Sequence, residues 1–135
     1  MESDSDLLEL LKDAGNGLLF PSEIDAPFEI KAWSGTKEKP ITPSSILELT
    51  GNKPDKYIEE ISLDNLFSTP TMEQDWHSPE DKARVVRFRK LENSIISNLK
   101  DAKVYRCGKI NIDVFIVGRL LSGNIMCIST KLLQT

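Results

Sequence analysis

VYRCGKINIDVFIVGRLLSGNIMCISTKLLQT, residues 104–135, reads as consecutive β-strands running to the last residue. Ile110, Ile112, Val114 and Ile116 alternate with Asn111, Asp113, Phe115 and Val117, the two-residue period of a strand with one strongly apolar face. Leu121-Ser122-Gly123-Asn124 reads as a turn, because Gly and Asn tolerate positive φ, and Ile125–Leu133 resumes the strand pattern with Met126 and Ile128. Gly108 and Lys109 supply a second turn. The three-stranded meander that results has to bury its apolar faces against other elements.

The preceding chain offers that cover. Leu7, Leu8, Leu10 and Leu11 form the apolar stripe of a short helix capped by Ser5 and stopped by Gly15 or Gly17. Two prolines fence Pro21–Pro27, which predicts an exposed, stiff loop carrying Glu23 and Asp25. Phe28–Trp33 alternates as a strand, and Thr42-Pro43 introduces a helix closed by Gly51. A strand over Tyr57–Ile61 and a helical turn over Leu63–Phe67 follow, then a polar loop, Met72–Ser78, interrupted by Trp76. Ser78-Pro79 opens the longest helix, with Val85, Phe88, Leu91, Ile95 and Leu99 at three- and four-residue steps to about Lys100. Helix, strand, helix, strand, long helix, then strands predict an α+β fold, an α-β-α sandwich around a mainly antiparallel sheet.

A chain of 135 residues with 39% hydrophobic content suits one domain, residues 1–135, that buries roughly two-thirds of its unfolded surface. The start, MESDSDLLELLKDAG, is acidic where a signal peptide would be basic, and no apolar run approaches the roughly 20 residues that cross a bilayer, so a cytoplasmic protein without a membrane partner is expected. The net charge of −4 is unevenly placed: residues 1–76 carry 16 acidic and 6 basic side chains, residues 77–135 carry 5 and 11. Phosphate binding needs a concentrated positive surface, so direct nucleic-acid binding is not expected, although the helical stripe Lys82, Arg84, Arg87 and Arg89, which as a rule is a solvated surface, leaves it conceivable. An acidic face aimed at a basic partner is more natural. Cys107 and Cys127 fall on strands separated by the central one, too far apart for a disulfide. With one histidine, His77, and no CxxC or HxxxH spacing, neither a zinc site nor another cofactor is expected.

Catalysis has little to work with. Asp75 and His77 lie two apart, but neither a nucleophile motif nor a glycine-rich phosphate loop accompanies them. Three features remain that composition does not require: the acidic loop with Glu23 and Asp25, the Gln74-Asp75-Trp76 loop, and the terminus Gln134-Thr135. Singly they read as a solvated loop, a partly buried tryptophan and a frayed tail; together they are ingredients of a binding epitope.

These residues also carry a resemblance. GLLFPSE at 17–23, PFE at 27–29, Trp33 and Gly35, QDW at 74–76, SNLKDAKVYRCG at 97–108, DVFIVG at 113–118 and the closing ISTK with terminal Thr resemble the nuclease A inhibitor family, from about Leu7 to Thr135. Residues 35–64 match loosely, and neither cysteine belongs to the pattern. The resemblance implies a non-enzymatic inhibitor, monomeric when free, that plugs the active site of a sugar-nonspecific, magnesium-dependent DNA/RNA nuclease in a one-to-one complex. It also implies an α-β-α sandwich of the pathogenesis-related type. By position, Glu23 resembles the acid directed at the nuclease's arginines, Gln74 and Trp76 its flanking contacts, and Thr135 the residue that approaches the partner's magnesium. Asp25 and Asp75 are expected to be secondary contacts. The leading alternative is a non-enzymatic interaction domain that docks a different basic partner; a small enzyme using Asp75 and His77 is a third reading.

Overall fold

The computed structural model describes residues 4–21, 25–68, 70 and 76–133. In chain order its elements are α1 (Asp4–Gly15), β1 (Leu19–Pro21), β2 (Asp25–Pro27), β3 (Glu29–Trp33), α2 (Pro43–Leu49), β4 (Ile58–Ile61), α3 (Leu63–Phe67), α4 (Pro79–Asn98), β5 (Lys100–Cys107), β6 (Asn111–Arg119) and β7 (Ile125–Leu133). β1 and β2 make a two-stranded ribbon, and the other strands form one antiparallel sheet in the order β3-β7-β6-β5-β4. The fold is α+β, as the sequence predicts.

The predicted meander is the centre of this sheet. Its turns are built as expected: Gly108 and Gly123 take positive φ, and the Leu120 N–H donates to the Asn124 carbonyl at 2.9 Å. The period is richer than expected, however. Ile112, Val114 and Ile116 pack on one face, while Phe115 and Val117 are buried on the other, so β6 is apolar on both sides. Ile110 does not join the stripe; it precedes β6 and stands exposed in the turn.

Each face has its own cover. Leu7 and Leu11 of α1, Leu66 and Phe67 of α3, and Phe88, Leu91 and Ile95 of α4 close the first face. Ile46 and Leu47 of α2 close the second against Tyr105, Phe115 and Cys127. Each fully buried side chain of this size contributes about 1.5–3 kcal/mol. α2 has seven residues and depends on its cap: the Thr42 hydroxyl accepts from the Ser45 N–H at 3.2 Å, and Pro43 starts the first turn.

Several boundaries differ from expectation. α1 is already helical at Asp4, so Ser5 lies within its first turn and is not its cap, and Gly17, with φ 76°, makes the stop. Pro21–Pro27 is not all loop, because Leu19–Pro21 pairs with Asp25–Pro27, a two-stranded ribbon in which proline is tolerated. α4 ends at Asn98; Leu99 turns to extended backbone and Lys100 already opens β5. That reversal brings Leu99 against β6, where a Cβ on Gly118 would come within 2.8 Å of the Leu99 Cβ.

The cysteines lie on β5 and β7, on either side of β6, both buried and free. Burial pushes the Cys127 thiol up to about 12, against a small opposing influence of Lys31. Burial also raises Tyr105 to about 12, with Glu60 adding to it.

Gly118→Ala should destabilise the protein by about 1–3 kcal/mol, read as a lower urea midpoint, because the crowded Leu99 atom belongs to the side-chain root. Both thiols should resist a thiol-specific reagent until the protein unfolds. The contribution from keeping Cys127 and Tyr105 neutral is fully present below their ordinary values of 9.0 and 10.0 and is lost as pH rises towards about 12. Urea midpoints should therefore fall above pH 9, and midpoints that stay level across this window would contradict the burial of both groups.

Candidate functional site

The predicted epitope residues fall partly outside the described residues: Glu23, Gln74, Asp75 and Thr135 do so, whereas Asp25 and Trp76 are described. The elements that lead into them can be followed.

The ribbon is fixed to the first face of the sheet by Phe20. Its ring meets Phe28 and Phe88 edge-on, with centroids 6.1 and 6.4 Å apart. Beside it the Thr130 hydroxyl of β7 donates to the Ala26 carbonyl of β2 at 3.3 Å. β2 therefore runs along the last stretch of β7, with Asp25 exposed and paired across the ribbon to Pro21. The Ser22–Ile24 segment joins that pair and lies outside the described residues.

β7 pairs with β6 until Leu133 faces Asn111, so the β5–β6 turn stands next to the point where β7 ends. α4 points to the same end. Its last residues lie by Gly118, which pairs with Met126, while Phe88 at mid-helix meets Phe28, next to the Glu29–Ser129 pair. Twenty residues at about 1.5 Å each span about 30 Å, so the first turns of α4 extend past Phe28 towards the end of β7. Trp76 and Ser78 sit at that start. The Ser78 hydroxyl accepts from the Asp81 N–H at 3.1 Å, and the Asp81 carboxylate accepts from the Ser78 N–H at 3.2 Å. Hydrogen bonding of the Asp81 carboxylate to the Ser78 backbone N–H first, and to the Ser78 side chain, holds it below the usual carboxylate range.

Trp76 is 77% exposed, not partly buried, and its ring meets His77 edge-on with centroids 4.5 Å apart. An indole this open contributes little to the core and is free to enter a partner's pocket. Asp25, the start of α4 and the last described residue of β7 are thus gathered at one end of the molecule.

A cleft of about 340 Å³ lies at this end, between Thr50 at the end of α2, Ala26 and Pro27 of β2, and the strand residues Asp113, Ser129 and Lys131. Sequence reasoning missed it, because its walls come from segments far apart in the chain. Among the described residues no three His, Cys, Asp or Glu side chains gather as a metal site requires.

Trp76→Ala should change folding stability by no more than about 0.5 kcal/mol, as for other exposed positions. A loss of 2 kcal/mol or more in urea titration would assign the ring a structural role instead.

The family model described as nuclease A inhibitor-like protein matches residues 5–135. No curated protein matches the chain.

Proposed function

This chain belongs to the nuclease A inhibitor-like family, and from that membership we propose that it is a non-enzymatic inhibitor of a sugar-nonspecific, magnesium-dependent DNA/RNA nuclease. The observation that carries the proposal is the common end of the sheet, where β2, β7 and α4 bring Asp25, the approach to the chain's last residues and the exposed Trp76 together.

The chemistry follows from what such a nuclease has to offer. A pocket that binds phosphates presents arginines and a hard cation, and that cation accepts oxygen ligands. Glu23, between the paired strands of the ribbon, is the phosphate mimic in this reading. Thr135 supplies hydroxyl oxygen near the partner's magnesium in the same reading. Gln74 and Trp76 flank them, with Asp25 and Asp75 as weaker electrostatic contacts. The complex is one-to-one, and the free inhibitor is a cytoplasmic monomer with no cofactor. We extend the α-β-α sandwich to the pathogenesis-related type on the same family grounds; helices on both faces of one antiparallel sheet support it.

Mixing the protein with a panel of magnesium-dependent nonspecific nucleases should end DNA cleavage in one of them as the molar ratio passes one. Glu23→Ala should weaken that inhibition at least tenfold, since stripping one side of a buried charge pair costs about 2–5 kcal/mol. Residues added after Thr135 should also block tight binding. An inhibition constant indifferent to both changes would remove the plug mechanism.

A further inference from the structure

Across β7 from the ribbon, at the same end of the sheet, the residues entering β4 and the β5–β6 turn enclose a cleft of about 530 Å³. Tyr57, Glu59, Arg106, Lys109 and Ile110 line it, with Ile112 of the first face at its floor. Tyr57 is 46% exposed and Ile110 56%, both large apolar side chains that the fold leaves in water.

The cleft is preorganised. The Gly108 N–H donates to the Tyr57 carbonyl at 2.9 Å, tying the two segments together. Gly108 has φ +106°, and a Cβ there would fall 2.4 Å from the Asn111 carbonyl oxygen, so only glycine fits this turn. The Tyr57 hydroxyl donates to Glu59 at 3.1 Å, and the Lys109 ammonium stands 5.1 Å from the ring centroid. Arg106 lies 3.4 Å from the same Glu59 carboxylate. A tyrosine and an isoleucine held ready beside an arginine lose little entropy on docking, and tyrosine and arginine are enriched where interfaces concentrate their energy.

We propose that this cleft is a second contact for the nuclease, taking a segment of it in which an apolar side chain stands beside a carboxylate. The inference rests on the inhibitor reading above. The Lys109 ammonium at the mouth of the cleft favours an acidic visitor, and Tyr57 with Ile110 favours an apolar one. Magnesium sites in proteins usually include one or two carboxylates, so acidic side chains belong to the surface that such a nuclease presents around its metal. A stable interface covers about 800 Å² on each partner, and the Asn111–Leu133 pair sets the β5–β6 turn that lines this cleft beside the end of β7, within reach of the same partner.

The test is inhibition of a magnesium-dependent nonspecific nuclease by the full chain and by Ile110→Asp, Tyr57→Ser, Lys109→Glu and Leu121→Asp, with circular dichroism confirming that each variant folds. Leu121, 75% exposed in the β6–β7 turn, lies at the opposite end of the sheet and serves as control. Ile110→Asp, Tyr57→Ser and Lys109→Glu should each raise the inhibition constant at least tenfold, and Leu121→Asp should leave it unchanged. If the unaltered chain inhibits and the three cleft variants inhibit equally well, the second contact is overturned while the inhibitor reading stands. If Lys109→Glu alone is without effect, the carboxylate assignment is overturned. If the unaltered chain inhibits no such nuclease, the inhibitor reading fails and this inference with it.

Discussion

β6 is apolar on both sides, and that constraint shapes the rest of the molecule. A strand with Ile112, Val114 and Ile116 on one face and Phe115 and Val117 on the other has to lie at the centre of a sheet covered twice. The first face receives α1, α3, α4 and the β1–β2 ribbon. The second receives the short α2, which is delivered by the long connection after β3. Arg119 secures that connection: its guanidinium donates to the carbonyls of Thr36, Lys37, Lys39 and Gly123. Thr36 completes the lock by donating to the Trp33 carbonyl at 2.6 Å and accepting from the Ile125 N–H at 2.8 Å.

These restraints make the two ends of the sheet different. At one end the Leu121–Asn124 turn is tied to the start of α1, where the Ser122 hydroxyl donates to the Asp4 carboxylate at 2.7 Å. At the other, Trp76, Tyr57, Ile110 and Asp25 stand in water among the described residues. Arg87, read in the sequence as part of a solvated basic stripe, donates to the Asn16 carbonyl and so helps fix the turn that sends the chain into the ribbon. Rigidity behind an open end is what a docking surface needs, because little conformational freedom is left to lose.

Much of this was legible in residues 104–135, since strand period and turn chemistry are local properties. The Ser78-Pro79 start and the 3.6-residue stripe of α4 were equally local. What was not legible depends on pairing over distance. Nothing in Pro21–Pro27 announces that a segment with two prolines folds back on itself, because Phe20 is held by Phe28 and Phe88 from elsewhere in the chain. Arg119 reads as one more surface cation until its four carbonyl partners are assembled. Tyr57 and Ile110 looked like members of strands, whereas both stand exposed and line one cleft, where the Gly108 bond ties their segments together. Of the binding residues suggested by resemblance, Trp76 gained an exposure that its loop did not reveal, while Asp25 kept the exposed position predicted for it.

The central claim is that the end of the sheet where β7 finishes is the working surface. Amide hydrogen exchange of the free chain and of its complex with a magnesium-dependent nuclease tests this directly. Added protection should appear in the β1–β2 ribbon, around Trp76, in the β5–β6 turn and at Leu133, and should be absent from the Leu121–Asn124 turn. Protection centred on that opposite turn, or along the outer side of α4 alone, would contradict the account.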